Sequence, residues 1–244
     1  MDRIHDLVDL LAASRRAVAF TGAGVSTLSG VPDFRGADGL YARLGGPDVF
    51  DIDVFRRDPS VFYGATRDIF YPAAAPRPSL VHRVCARLEA AGRLRAVITQ
   101  NIDMLHQQAG SRRVIELHGS PAWHRCPACD RRYDFAWARE RVRRDGLPRC
   151  EDCRAVVKPE VTFFGEMLPE GALEEAWALA GEADLMLVLG SSLVVQPAAS
   201  VPRVTVETGG RLVIVNRDPT PLDRHGAPRF DDLEAVFTVL DRAF

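Results

Sequence analysis

Four cysteines stand in two Cys-x-x-Cys pairs, Cys126-Pro-Ala-Cys129 and Cys150-Glu-Asp-Cys153, with 20 residues between the pairs. Each pair can place two thiolates on one tight turn, and two such turns meeting make the tetrahedral sulfur cage that zinc accepts. Four sulfurs leave no position open for water, so the expected ion is structural, one per chain. A redox Cys-x-x-Cys is the competing reading, and two copies at this spacing weigh against it. The fifth cysteine, Cys85, lies in SLVHRVCARLEAAG, where Leu80, Val84 and Leu88 mark a helical apolar stripe. It is expected to be a buried packing residue.

A second set of residues could address a phosphate or a sugar. The stretch GAGVSTLSGVPDFRG, residues 22–36, follows the apolar run Ala17-Val18-Ala19-Phe20. Gly22, Ala23 and Gly24 would bring backbone N–H groups close to a pyrophosphate, as other phosphate loops do. An ordinary dinucleotide fingerprint needs a third glycine where this chain has Thr27, and an acidic residue about 20 positions on. Neither condition is cleanly met. Further on, Gln100-Asn101-Ile102-Asp103 and Leu117-His118-Gly119 each close an apolar run, and Gly190-Ser191-Ser192 and Asn216 close two more. Singly, Asp103 could cap a helix beginning near Met104, Asn101 could sit in the turn before it, and His118 could be a satisfied polar residue. Together they converge, because ligands of open parallel sheets bind at the carboxyl ends of the strands.

The elements that must position these residues follow from the apolar pattern. Ala17 to Thr21, Leu94 to Gln100, Asp184 to Gly190 and Arg211 to Asn216 read as buried strands, with Arg113 to Leu117 a fifth. Helices are expected at the N-terminus, where Ile4, Leu7, Val8 and Leu11 share a face, and over Asp58 to Phe70, Ser79 to Ala91, Pro169 to Ala183 and Asp232 to Ala243. Alternation of this kind implies a parallel sheet covered by helices. The 72 residues between Thr21 and Leu94 exceed one crossover, so something is inserted there. Ser120 to Lys158, arginine-rich and holding four of the five cysteines, is a second insertion. His5 and His82 fall on helix-like segments, His106 follows the Asn-Ile-Asp turn, and His124 and His225 are expected in loops.

Composition bounds the rest. The 244 residues carry a formal net charge of −2, with 47% hydrophobic and 26% charged residues. That balance gives no global attraction to nucleic acid or to an anionic membrane surface. No apolar stretch approaches the roughly 18 residues of a membrane span, and the N-terminus does not look like a signal peptide. Cysteines without a secretion signal argue against a disulfide framework and suit a cytoplasmic protein.

In order along the chain, GAGVS, GVPDFRG, TQNID, LHG, CPAC with CEDC, KPEVTFFGE, GSSLVV and VIVN resemble the sirtuin family, the NAD-dependent protein deacylases. The likeness covers nearly the whole chain; Val25 and Val31, where isoleucine is usual, are mild departures. It implies an α/β fold: a Rossmann-like parallel-sheet domain (1–30, 79–119 and 159–244) with a smaller zinc-binding and helical domain (31–78 and 120–158). It also implies NAD consumed as a co-substrate: the oxygen of an acetyl-lysine attacks the nicotinamide ribose, nicotinamide leaves, and free lysine and O-acetyl-ADP-ribose result. Acetylated protein lysines are the partners so implied.

By the same resemblance His118 is a general base toward a ribose hydroxyl, and Asn101 positions the ribose or its water. Gly22, Ala23, Gly24, Thr27, Phe34, Arg35, Gln100, Ile102, Asp103, Gly190, Ser191, Ser192, Asn216 and Arg217 complete the NAD site, with Ile102 and Asp103 at the carboxamide and Phe34 over the reacting sugar. The segments around Thr162, Phe164 and Gly165 and around Val195 would sandwich the substrate backbone, with Phe50, Thr162, Phe164 and Val195 lining the acyl-lysine tunnel. Family members that remove succinyl or malonyl groups pair a Tyr with an Arg three residues on. Here Tyr63 is followed by Thr66, which predicts deacetylation over desuccinylation. A protein mono-ADP-ribosyltransferase and an inert zinc-ribbon binding module are the rival readings.

Overall fold

The computed structural model describes residues 3–36, 39–225 and 227–244. Six strands form one parallel sheet: β1 (Ala17–Thr21), β2 (Val97–Thr99), β3 (Val114–Glu116), β7 (Leu185–Leu189), β8 (Arg211–Val215) and β9 (Arg229–Phe230). Their order is β3-β2-β1-β7-β8-β9. The direction of winding therefore reverses between β1 and β7, the topological switch point at which such sheets bind ligands.

Every side chain of β1 and of β7 is buried, as a sheet covered on both faces demands. The two-residue period then sorts them. Ala17, Ala19, Leu185, Leu187, Leu189, Val213 and Val215 face one core. That core is closed by the helices Arg3–Ala13, Leu80–Ala90 and Leu233–Ala243. Val18, Phe20, Ile98, Met186, Val188 and Ile214 face the other, under Ala172–Glu182 and Val201–Glu207. The predicted helices all form within a few residues of their expected ends; Met1 and Asp2 of the first lie outside the described residues. Cys85 is 1% exposed in the first of these cores, and burial pushes its thiol up to about 12.

Two insertions stand beside the sheet. The first contains the helices Ile52–Arg57 and Pro59–Phe70. Their rings join Phe163 in an aromatic core of Phe50, Phe55, Phe62, Tyr63 and Tyr71. The second is a three-stranded antiparallel sheet, β5-β4-β6, of β4 (Gly119–Arg125), β5 (Arg132–Asp134) and β6 (Lys158–Val161), carrying the helix Phe135–Asp145. His124, expected in a loop, lies instead near the end of β4, fully buried, with its Nε2 2.8 Å from the Tyr71 hydroxyl. It joins the insertions to each other and is not part of the cysteine cluster.

Candidate active site

The sulfurs of Cys126, Cys129, Cys150 and Cys153 all lie within 4.8 Å of one another. Cys126–Cys153 is 3.3 Å, Cys129–Cys150 3.5 Å and Cys129–Cys153 3.7 Å. A tetrahedron with zinc–sulfur bonds of about 2.3 Å has edges of about 3.8 Å, so the cage fits zinc. Hydrogen bonds from the Cys153 amide and then from the Tyr133 hydroxyl hold the Cys150 thiol down to about 6, ready to ligate as thiolate. Tyr133 is in turn stacked on Trp137 at 3.7 Å. No catalytic position remains in this cage.

The chemistry lies at the sheet. A cleft of about 1360 Å³ opens along its carboxyl edge, larger than the roughly 300–1,000 Å³ that a single drug-sized ligand fills. Each of the six parallel strands delivers to it a residue within two positions of its end: Gly22, Gln100, His118, Gly190, Asn216 and Asp231. Ala23, Gly24, Thr27, Phe34, Arg35, Asn101, Ile102, Ser191, Ser192 and Arg217 also line it, as do Phe50, Thr162, Phe164, Gly165 and Val195.

Asp103 does not line this cleft. It borders an adjoining hollow of about 80 Å³ that Ala23, Phe34, Asn101 and Ile102 share with the main cleft. Its Oδ1 accepts the N–H of Leu105, the first residue of the helix Leu105–Ala109, at 2.9 Å, and its Oδ2 accepts the Ser26 hydroxyl at 2.6 Å.

The Gly22 and Gly24 amides are not free for a pyrophosphate. Gly22 N–H donates to Leu189 O and Gly24 N–H to Gly190 O, each at 2.9 Å. A Cβ on Gly22 would stand 2.7 Å from Gly190 O, and one on Gly24 2.7 Å from Gly190 Cα. These glycines let the β1 and β7 loops touch at the switch point. These two amides serve the fold. Ser191 Oγ, which also lines the cleft, accepts from Gln100 Nε2 at 2.7 Å and from Leu193 N at 3.3 Å, which leaves its own hydrogen to donate.

His118 is fixed by its neighbour strand. Its Nδ1 lies 2.8 Å from Gln100 O. A carbonyl only accepts, so Nδ1 carries the proton and the neutral ring keeps Nε2 as a base. Burial lowers its pKa; the Gln100 carbonyl opposes this and the Arg35 guanidinium adds to it. Asn101 is fixed as firmly. Its Nδ2 donates to Gly22 O at 3.1 Å and to Ser26 Oγ at 3.2 Å, which spends both amide hydrogens and leaves Oδ1 as the available acceptor. Ser26, which motif reading passed over, thus links Asp103 to Asn101. Tyr41 was also missed: it packs edge-on to Phe34 at 5.6 Å, and Arg35 lies 5.3 Å over its ring.

A doubly wound sheet with its strand ends, a histidine base and a glycine turn in one cleft, beside a four-cysteine module, defines a Rossmann-like nucleotide-binding scaffold. Residues 22–197 match the Sir2 family, and the chain belongs to it. It is 47% identical over 221 residues to a Thermotoga maritima protein named NAD-dependent protein deacetylase, covering 91% of this chain and 89% of that one. It is 44% identical over 231 residues to NAD-dependent protein deacylase 2 of Archaeoglobus fulgidus, covering 94% and 89%. Among solved structures, a Sir2 complex with a deacetylated p53 peptide and 3'-O-acetyl-ADP-ribose superposes with a TM-score of 0.91 at 44% identity, covering 98% of this chain and 96% of that one. Sir2Tm bound to a propionylated peptide superposes with a TM-score of 0.87 at 43% identity, covering 99% and 97%.

Proposed function

We propose that this protein is an NAD-dependent protein lysine deacetylase, which moves the acetyl group of acetyl-lysine to ADP-ribose and releases nicotinamide. The observation that carries this reading is the placement of His118. It stands in the cleft between the strand-end loops and the Thr162–Gly165 segment, with Nδ1 bonded to Gln100 O and Nε2 left basic.

NAD, when bound, supplies a ribose carbon that the acetyl oxygen attacks as nicotinamide departs. The chain's residues then divide the work. His118 Nε2 takes the proton of a ribose hydroxyl, a step worth about 10²–10⁴ in rate. Asn101 Oδ1, aimed by Gly22 and Ser26, accepts from a ribose hydroxyl or a water. Phe34, packed edge-on to Phe50 at 5.8 Å, shields the reacting sugar from solvent. Ser191 donates to the phosphate-bearing half, and Asn216 and Arg217 take the adenosine end. Ile102, with Asp103 behind it, receives the carboxamide. Thr162, Phe164, Gly165 and Val195 receive the substrate backbone as an added strand, and Phe50 walls the acyl tunnel.

Support for a two-domain division, with 31–78 and 120–158 as the smaller domain, comes from the separate aromatic core of the insertions, which Val161 and Phe163 extend beyond residue 158. No described helix is long and apolar enough to cross a membrane. A thiolate cage persists best in a reducing compartment, and we place the protein in the cytoplasm. Product analysis by mass spectrometry tests the function: an acetyl-lysine peptide with NAD should give free lysine and an acetylated ADP-ribose. ADP-ribose attached to protein, with the acetyl group intact, would contradict it.

A further inference from the structure

The chain's single lysine, Lys158, opens β6, and its side chain is only 17% exposed. An ammonium has three hydrogens to place. Here Nζ lies 2.8 Å from Glu166 Oε2, 2.7 Å from Val161 O and 3.3 Å from Pro159 O, and 4.2 Å from the centroid of the Phe163 ring. The same Glu166 oxygen accepts the Phe163 N–H at 2.9 Å, while Glu166 N–H returns to Phe163 O at 3.0 Å. The ion pair thus closes the segment 161–166 into a loop around one buried charge.

That loop reaches the rest of the molecule through few backbone bonds. Thr162 N–H donates to His118 O, Phe164 N–H to Phe50 O, and Ile52 N–H to Phe164 O. Gly165, exposed and at φ +89°, is the first residue of this loop whose amide and carbonyl have no partner among the described residues. The unpaired backbone edge therefore begins where the Lys158–Glu166 pair sets the turn.

We propose that Lys158 is a positioning residue for the acylated peptide: through Glu166 it fixes the turn that presents Gly165 to the substrate backbone. This rests on the deacetylase reading above. Lys158 does not line the cleft, so its effect falls on peptide binding and not on the chemical step. A charge-assisted bond inside a half-buried loop is among the stronger hydrogen bonds, and its loss leaves Glu166 poorly paired.

Steady-state kinetics on Lys158→Met and Lys158→Arg, with acetyl-lysine peptide and NAD varied separately, test this. Lys158→Met should raise the peptide KM about tenfold, with kcat within about twofold and the NAD KM unchanged. Lys158→Arg, which keeps the charge, should fall between the two. Where Lys158→Met does not fold, as judged by zinc content and Tm, Glu166→Gln removes the same pair and should show the same rise in peptide KM. An unchanged peptide KM, or an equal loss in kcat with KM unaltered, overturns the proposal. Wild-type protein without NAD-dependent deacetylation would instead overturn the functional reading beneath it.

Discussion

The main-chain oxygen of Gln100 lies 2.8 Å from His118 Nδ1, while the side chain of the same Gln100 donates to Ser191 Oγ at 2.7 Å. One residue therefore sets the tautomer of the base and the hydroxyl at the β7 turn. Because burial lowers the His118 pKa, the basic form survives to lower pH than in an ordinary histidine. The acidic limb of kcat/KM should therefore lie below pH 6.5, and His118→Ala should cost about 100-fold or more in deacetylation. A pH–rate profile checks both; a limb above 6.5, or a variant of wild-type activity, contradicts the assignment.

Ser26 is expected to matter without meeting substrate. Its hydroxyl holds Asn101 Nδ2 and is itself held by Asp103. Ser26→Ala frees one amide hydrogen of Asn101 and leaves the Asp103 carboxylate short of a donor. The expected result is a kcat lower by roughly tenfold with a nearly constant NAD KM. Equal kcat in the two proteins would show that the Gly22 carbonyl suffices.

Acyl preference follows from what the cleft lacks. Tyr63 is fully buried with its hydroxyl on Val157 O, and Thr66 turns back onto Phe62 O. Arg67, one position past Thr66, donates to Arg143 O. The arginines lining the cleft are Arg35 and Arg217. A terminal carboxylate beside Phe50 would find no cation at position 66 and Arg67 already engaged, and leaving it poorly paired is costly. Turnover of acetyl and succinyl versions of one peptide should favour acetyl strongly; a succinyl preference would sink the prediction.

Zinc should be inseparable from the small module. Cys126 and Cys150 are fully buried beside Tyr133 and Val157. Cys150→Ala should lose the ion, lower Tm and abolish activity together. Metal analysis should give one zinc per wild-type chain, and a fully active metal-free protein would contradict a structural role.

Acid stability has a separate origin beside the parallel sheet. The rings of His82 and His106 lie 4.6 Å apart, and burial holds their pKa values down to about 4 and about 3. Between pH 6.5 and 4 the unfolded chain binds protons that the folded chain refuses. Stability is therefore full above pH 6.5 and declines as pH falls through that window. His106→Gln should flatten this slope, measured by denaturant titration at matched zinc content; an unchanged slope would exclude the pair.

Much of this was legible in the sequence because strands buried on both faces read as continuous apolar runs, and β1, β2, β7 and β8 were found that way. β9 has two residues and no pattern to read. β4, β5 and β6 are short and rich in polar residues, with no continuous apolar run, and His124 therefore reads as a loop residue although it is fully buried. The cysteine spacing was sufficient for the metal cage, since two tight turns specify it locally. The role of Gly22 and Gly24 was misread for the opposite reason. What demands glycine there is Gly190, more than 160 positions away, and no local motif records that contact. Ser26 and Tyr41 escaped notice likewise, since their partners are distant or their types unremarkable in a turn.

The most direct test follows nicotinamide release and peptide mass in one reaction of the protein with acetyl-lysine peptide, with and without NAD. The account predicts one nicotinamide freed for each acetyl group lost, and no loss of acetyl without NAD. Acetyl loss that proceeds without NAD, or nicotinamide release with every acetyl group still in place, would contradict it.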